Sequence, residues 1–242
     1  MRGPIVPRAS RKTALQTTVA NRLLAALPRA EYRRLLSGIE PVTLRFGEVL
    51  YEAGAPIRHV YFPIDCVICL LTRTESQRAV ETGLVGYEGM VGISLALGVD
   101  VSSVHALVQV AGTALRVPAE RFGTELRRGP NLRRELHRYA DMKLAQARQA
   151  AACAASHLFE HRLACRLLMT SDRSRSMEIL LTQKYLATVL NVRRESVTEA
   201  AASLRSRDLI SYSRGTIRIL NRKGLLSASC SCYRQIEVLH AA

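Results

Sequence analysis

Between residues 40 and 118 apolar and polar positions alternate with a period of two. Seven short runs, at 42–46, 49–51, 59–62, 67–71, 78–82, 105–110 and 114–117, are broken by Gly47, Gly54, Pro63, Gly83, Gly86, Gly98 and Gly112. Short, evenly punctuated runs of this kind predict strands of a compact antiparallel β sandwich or barrel. On either side the period lengthens toward 3.6. Residues 21–37 carry Leu23, Leu24, Leu27, Leu35 and Leu36, and Pro28 suits the first turn of a second short helix. From 131 to 155, Leu132, Leu136, Tyr139 or Ala140, Lys143, Ala147, Ala150 and Ala154 recur at three- and four-residue steps, which predicts one long helix. A further helix runs through Leu158, Phe159, Leu163, Leu167 and Leu168; 171–176 reads as a loop, and 225–239 as a short closing helix. Residues 1–20, with Pro4, Pro7 and scattered arginines, show no period and are expected to form a disordered basic arm.

The densest pattern lies at 181–220. Leu186, Ala187 and Leu190, then Val192, Val197, Ala200, Ala201 and Leu204, form two short helical stripes around a polar corner at Asn191, a residue type that tolerates left-handed backbone. Thr182 is placed to cap the first helix. Ala187 and Val197 let the two helices cross closely. The second helix, from Arg194 to about Arg205, has the position of a helix-turn-helix recognition helix. Arg194, Glu195, Thr198 and Glu199 stand on its polar face as candidate base readers: arginine can hold guanine O6 and N7, and glutamate can accept from cytosine N4. Two alternating runs then flank Ser213-Arg214-Gly215-Thr216, a hairpin or wing. Thr182, Gln183, Arg193, Arg214 and Thr216 are candidate phosphate contacts, which position without reading sequence.

Charge sharpens this picture. The formal net charge is +15 over 242 residues. Residues 46–120 carry four basic and eight acidic side chains, whereas 182–225 carry nine basic and three acidic. An anionic partner for the C-terminal part follows, and none for the middle. No apolar run reaches the 18 or so residues of a membrane span, and the N-terminus lacks the apolar segment of a secretory signal, so a cytoplasmic location is expected. Six cysteines in a chain of this length do not suggest a disulfide framework.

The order of helix, β roll, long helix, helix-turn-helix and wing resembles the CRP/FNR superfamily of bacterial transcription regulators. The resemblance spans residues 21–225 and is carried by Gly47-Glu-Val-Leu-Tyr-Glu-Ala-Gly54, Val60-Tyr-Phe-Pro63 and Arg194-Glu-Ser-Val197. It implies an α+β chain with a cyclic-nucleotide-binding-like jelly roll, a long dimerisation helix and a C-terminal winged helix-turn-helix. It further implies a homodimer on double-stranded DNA, with RNA polymerase as a further partner. Arg194 and Glu195 match the family's Arg-Glu pair, but Glu199 stands where several members carry a base-reading arginine, so a different target sequence is expected. The expected divisions are 1–20, a roll with flanking helices at 21–130, a dimerisation helix and hinge at 131–170, and the DNA-binding domain at 171–242.

Cyclic-nucleotide-binding members hold the phosphate with an arginine where this chain reads Val104-His-Ala106, so ordinary cyclic AMP sensing is not expected. Gly86, Tyr87, Glu88, Gly89 and His105 are the candidates for an altered effector pocket, with tight-turn packing as the other reading. Leu136, Ala140, Lys143, Ala147, Ala150 and Ala154 form the expected dimer seam, unless the helix packs only on its own roll. Cys66 and Cys69, three apart on a strand, face opposite sides. Cys153, His157, His161 and Cys165 repeat every four residues; neighbours in such a row can share a metal but the whole row cannot, and a new helix capped at Ser156 would part even neighbours. No metal site and no cofactor are therefore expected, with an unknown small effector left open. Cys153 and His157 have no third group nearby to make a catalytic unit, so enzyme chemistry is not expected. A constitutive regulator with a ligand-free roll, or a charge-driven architectural protein, are the alternatives.

Overall fold

The computed structural model describes residues 21–75 and 79–241, so the expected basic arm and Arg78 lie outside the described residues. Strands β1 (Glu40–Leu44), β2 (Val49–Tyr51), β3 (His59–Pro63), β4 (Val67–Arg73), β5 (Ala79–Val85), β6 (His105–Val110) and β7 (Gly112–Pro118) form two antiparallel sheets, in the orders β1-β7-β3 and β2-β6-β4-β5. The alternating residues meet between them: Leu44, Tyr51, Tyr61, Ile68, Val85, Val108 and Ala114 share one buried cluster. This is the roll that the period-two pattern predicts.

Short helices α1 (Arg22–Ala25) and α2 (Arg29–Leu36), with α3 (Ala119–Arg128), cover the outer face of the β3–β7 sheet. They bury Leu24, Leu35 and Phe122 against Phe62, Leu115 and Val117. The long helix α4 (Pro130–Ser156) starts on the same cluster through Leu132, Leu136 and Tyr139. Its first turn has no side-chain cap of its own; the Glu31 carboxylate from α2 accepts from the amides of Leu132 (2.8 Å) and Asn131 (3.3 Å) instead. A negative group at that end also suits the helix dipole.

Helix α4 stops where His157 takes extended backbone (φ −114°, ψ 144°), and α5 (Phe159–Ser174) follows after Leu158. Helix α5 runs straight through 171–173, which the sequence presents as a loop. Thr170, Ser171, Arg173 and Ser174 are buried there, so tertiary contact outweighs weak helix propensity. Leu163, Leu167 and Leu168 of α5 share a core with Val197, Ala200, Ala201 and Leu204. The C-terminal unit therefore begins at Phe159, a dozen residues before the expected boundary at 171. Beyond α5 come β8 (Glu178–Leu180), α6 (Gln183–Val189), α7 (Arg194–Ser206), β9 (Ile210–Ser213) and β10 (Thr216–Ile219), with a sheet order β8-β10-β9. In place of one closing helix there are two, α8 (Arg222–Ala228) and α9 (Cys232–Ala241), separated at Ser229–Ser231.

Candidate nucleic-acid interface

Helix α6 opens on Thr182, whose hydroxyl accepts from the Tyr185 amide at 3.1 Å. Asn191 at the corner has φ +50°, the left-handed backbone its type tolerates, and the Val192 amide closes the turn onto Ala187 O at 3.0 Å. Helix α7 buries Val197, Ala200, Ala201 and Leu204, so its opposite side is left to solvent. Arg194, Glu195, Thr198 and Glu199 are all exposed there. Arg205 shares that side and was missed as a candidate: it lies eleven residues, three turns, beyond Arg194.

The wing is a two-residue hairpin in which Ser213 pairs with Thr216, and Arg214 (φ +48°) and Gly215 (φ +81°) make the turn. Both residues at positive φ define the turn type whose twist matches the strands. The wing is fastened to the start of α6: the Leu181 amide donates to Gly215 O at 2.8 Å, and the Gln183 amide to the Tyr212 hydroxyl at 2.9 Å. Gln183 Oε1 in turn accepts from the Thr198 hydroxyl at 3.0 Å. The first helix, the second helix and the wing thus hold one rigid edge, carrying Thr182, Gln183, Thr198 and the exposed Arg214. Arg193 is exposed at the N-cap of α7. Thr216 is half-buried in the β10 ladder, opposite Leu180 as well as Ser213.

The expected effector residues are not gathered into one pocket. The Glu88 carboxylate folds back to accept from the Gly86 amide (3.2 and 3.1 Å) and forms a buried ion pair with Arg173 of α5 at 2.9 Å. The Tyr87 ring lies under the Arg175 guanidinium, and Gly89 allows the Tyr139 ring to approach closer than any Cβ would permit. His105 pairs elsewhere, with Glu52 at 2.8 Å. Of the two readings of this glycine loop, the geometry favours tight packing, with the Gly86 amide taken by the chain's own carboxylate. The nearby 160 Å³ cleft includes Tyr87 and Glu88 but not His105.

The roll and the helix-turn-helix module pack directly on each other. Val189 of α6 is buried among Val67, Cys69, Leu71 and Leu84 of β4 and β5, with Tyr185 and Leu190 at the margin. Arg166 reaches from α5 to Glu81 and Gln109, each at 2.5 Å. Desolvation opposes the Arg166 charge, yet the Glu81 carboxylate holds its ionisation above the ordinary range. Cys66 and Cys69 face opposite ways, one into the roll core and one toward this junction.

The dimer seam needs a one-residue correction. Leu136 is buried in the roll cluster, and the Lys143 ammonium donates to Leu84 O (2.7 Å) and Gln146 Oε1 (3.1 Å), so that stripe faces inward. Ala147, Ala150 and Ala154 all border a 430 Å³ cavity between α4, β5 and the C-terminal unit, so the stripe turns from covered to exposed along this part of the helix. The outward stripe of α4 is His137, Ala140, Leu144, Ala147, Ala151 and Ala154. All are exposed except the half-buried Ala140, and Leu144 exposes 50% of its surface. Its spacing alternates three and four residues, the heptad seam of paired helices. Ala140, Ala147 and Ala154 are common to this stripe and the set read from the sequence. An alanine-rich helix offers no volume difference to separate adjacent stripes; only what the roll covers does so.

Residues 161–228 match the family described as the Crp-like helix-turn-helix domain. Solved structures of similar fold include a putative transcriptional regulator of the CRP/FNR family from Eubacterium rectale (TM-score 0.66, 15% identity, 85% of this chain and 96% of that one). A CRP/FNR-family transcriptional regulator from Thermus thermophilus aligns with TM-score 0.64 at 23% identity, over 78% and 98%. FixK2 from Bradyrhizobium japonicum aligns with TM-score 0.67 at 15% identity, over 80% and 98%. No curated protein sequence matches significantly.

Proposed function

We propose that this chain, which has the fold and the helix-turn-helix module of the CRP/FNR superfamily of transcription regulators, is a cytoplasmic homodimer that binds specific two-fold-related DNA sites. The observation that carries the reading is the braced edge at α6, α7 and the wing. Arg194, Glu195, Thr198 and Glu199 stand exposed on the helix that would enter a major groove, and Arg214 and the capped start of α6 flank it where phosphates would run. The surplus of basic over acidic residues at 182–225 supports an anionic partner. The exposed leucine–alanine stripe of α4 supplies a self-complementary face, and pairing along it would set two recognition helices about a two-fold axis.

The roll is read as a domain that does not bind cyclic nucleotide in the usual way. Glu88 occupies the Gly86 amide, and the position read as the phosphate-binding arginine is within Val104-His105-Ala106. Enzyme chemistry forms no part of this reading, and RNA polymerase is the expected protein partner on DNA. Among the described residues no helix is long and apolar enough to cross a membrane.

Selection of binding sites from random duplex DNA by the purified protein tests the proposal. A symmetric site with half-sites about one helical turn apart is expected. Enrichment of no site, both alone and with a cell extract supplying small molecules, together with steep salt-dependent binding to any duplex, would instead establish a non-specific DNA-binding protein.

A further inference from the structure

Cys153 and His157 sit one helical turn apart at the end of α4, and the fold brings two more cysteines to them from the far end of the chain. Cys230 and Cys232 flank Ser231 in the break between α8 and α9. The four candidate ligand atoms all lie within 4.8 Å of one another. Cys153 Sγ is 3.5 Å from Cys230 Sγ, and Cys232 Sγ is 3.5 Å from His157 Nδ1. Zinc–sulfur bonds of about 2.3 Å and zinc–nitrogen bonds of about 2.05 Å at tetrahedral angles require S···S edges near ~3.8 Å and S···N edges near ~3.6 Å. Both measured edges fall within a few tenths of an ångström of those values.

We propose that Cys153, His157, Cys230 and Cys232 form a tetrahedral metal site of the Cys3His class, suited to zinc, which clips the C-terminal helix to the hinge between α4 and α5. Four protein ligands close the coordination sphere, the arrangement of a structural rather than a catalytic ion. Three thiolates and an imidazole select a borderline-soft cation over calcium or magnesium. On binding, each thiol gives its proton to solvent and each sulfur forms one bond to the ion, while the imidazole enters neutral.

The surroundings fit the assignment. All three cysteines are buried, and His157 is half-buried. Gln149, one turn before Cys153, donates from Nε2 to Cys232 Sγ at 3.0 Å, the kind of outer contact that orients a thiolate ligand.

The placement gives the ion leverage. His157 is the residue at which the long helix ends, two positions before the C-terminal unit begins at Phe159. Helix α9 also braces α5, since the Tyr233 hydroxyl hydrogen-bonds to Asp172 at 2.5 Å and accepts from Arg222 at 2.9 Å. An ion at this point holds α4, the hinge and α9 together, so its occupancy would set how freely the DNA-binding unit moves on the roll.

The test is metal content and cobalt spectroscopy of the full-length protein, purified under reducing conditions from zinc-supplemented cells. One zinc per chain is expected. After removal of zinc, titration with cobalt should give thiolate-to-metal charge-transfer absorption and the intense visible bands of a tetrahedral ion, saturating at one equivalent. Cys230→Ser and Cys232→Ser should each abolish stoichiometric binding, Cys66→Ala should retain it, and His157→Cys should keep a tetrahedral spectrum shifted toward four-sulfur ligation. Hydrogen exchange at 157–158 should slow on zinc addition. Wild-type protein that is folded by circular dichroism, yet holds no zinc above the buffer blank and shows no thiolate–cobalt band, overturns the proposal. So does recovery of a Cys153–Cys230 disulfide, in place of metal, from reduced protein supplied with zinc.

Discussion

Glu88 and Arg173 meet at 2.9 Å with both side chains about 95% buried, joining the glycine loop of the roll to the first helix of the C-terminal unit. The pair does two things together. The carboxylate satisfies the Gly86 amide, and it ties that loop to the C-terminal unit. Removing one partner leaves a buried charge, which costs about 3–5 kcal/mol. Glu88→Gln should therefore lower unfolding free energy by an amount of that order in chemical denaturation. The double change Glu88→Leu with Arg173→Met should cost clearly less than the sum of the single changes. Additive losses would show that the two side chains act independently.

Arg194→Ala should weaken binding to the selected site by about 1–3 kcal/mol and relax preference at one base pair in each half-site. Binding-site selection repeated with the variant reads this out. Equal losses on every duplex would remove Arg194 from the base-reading set.

Arg214→Ala should lower affinity for all sequences alike and reduce the salt slope of binding by about one. The residue stands exposed on the wing turn with its backbone at positive φ, so Arg214→Asn keeps the turn and isolates the charge. A change in base preference in either variant would contradict a phosphate-contact role.

Leu144→Glu should shift the protein from dimer to monomer in sedimentation experiments, because it sets like charges against each other on the exposed stripe. Leu136→Ala, on the inward stripe, should instead lower stability by about 2–5 kcal/mol while leaving association intact in the folded fraction. The opposite pattern would restore the seam read from sequence alone.

Lys143 carries a clear pH signature just above neutrality. Desolvation lowers its ammonium to about 8, with the nearby Arg173 charge adding to the effect and Glu88 and Glu81 opposing it. The folded protein releases this proton at lower pH than the unfolded chain, whose lysine titrates at about 10.4. The unfolded state therefore holds more protons between those values, and stability rises with pH across that window. Below about pH 8 the penalty is fully present, so Lys143→Met should be more stable than the parent there, and its advantage should shrink toward about pH 10. Thermal unfolding of both proteins from about pH 6 to about pH 10 checks the sign.

The local pattern sufficed for every element whose faces are set within a few residues. The period-two runs gave the roll, the Thr182 cap and Asn191 corner gave the helix-turn-helix, and Ser213–Thr216 gave the wing, because each rests on backbone preference and nearest-neighbour burial. Of the loop expected at 171–176, the part as far as Ser174 is helical, because Arg173 is buried against Glu88 from 85 residues away and such burial overrides propensity. The seam register failed because Leu136 and Leu144 look alike on a sequence; the roll alone decides which is covered. Glu88 and Arg173 are 85 residues apart, and Cys230 lies 77 residues from Cys153. Neither the occupied glycine loop nor the four-ligand cluster has a spacing that could announce it. The sequence determined which elements form and which helix carries an exposed polar face after the turn, since those follow from local periodicity and charge. Only the tertiary structure decided which faces remain free and which distant polar groups meet, since both depend on what the folded chain places opposite them.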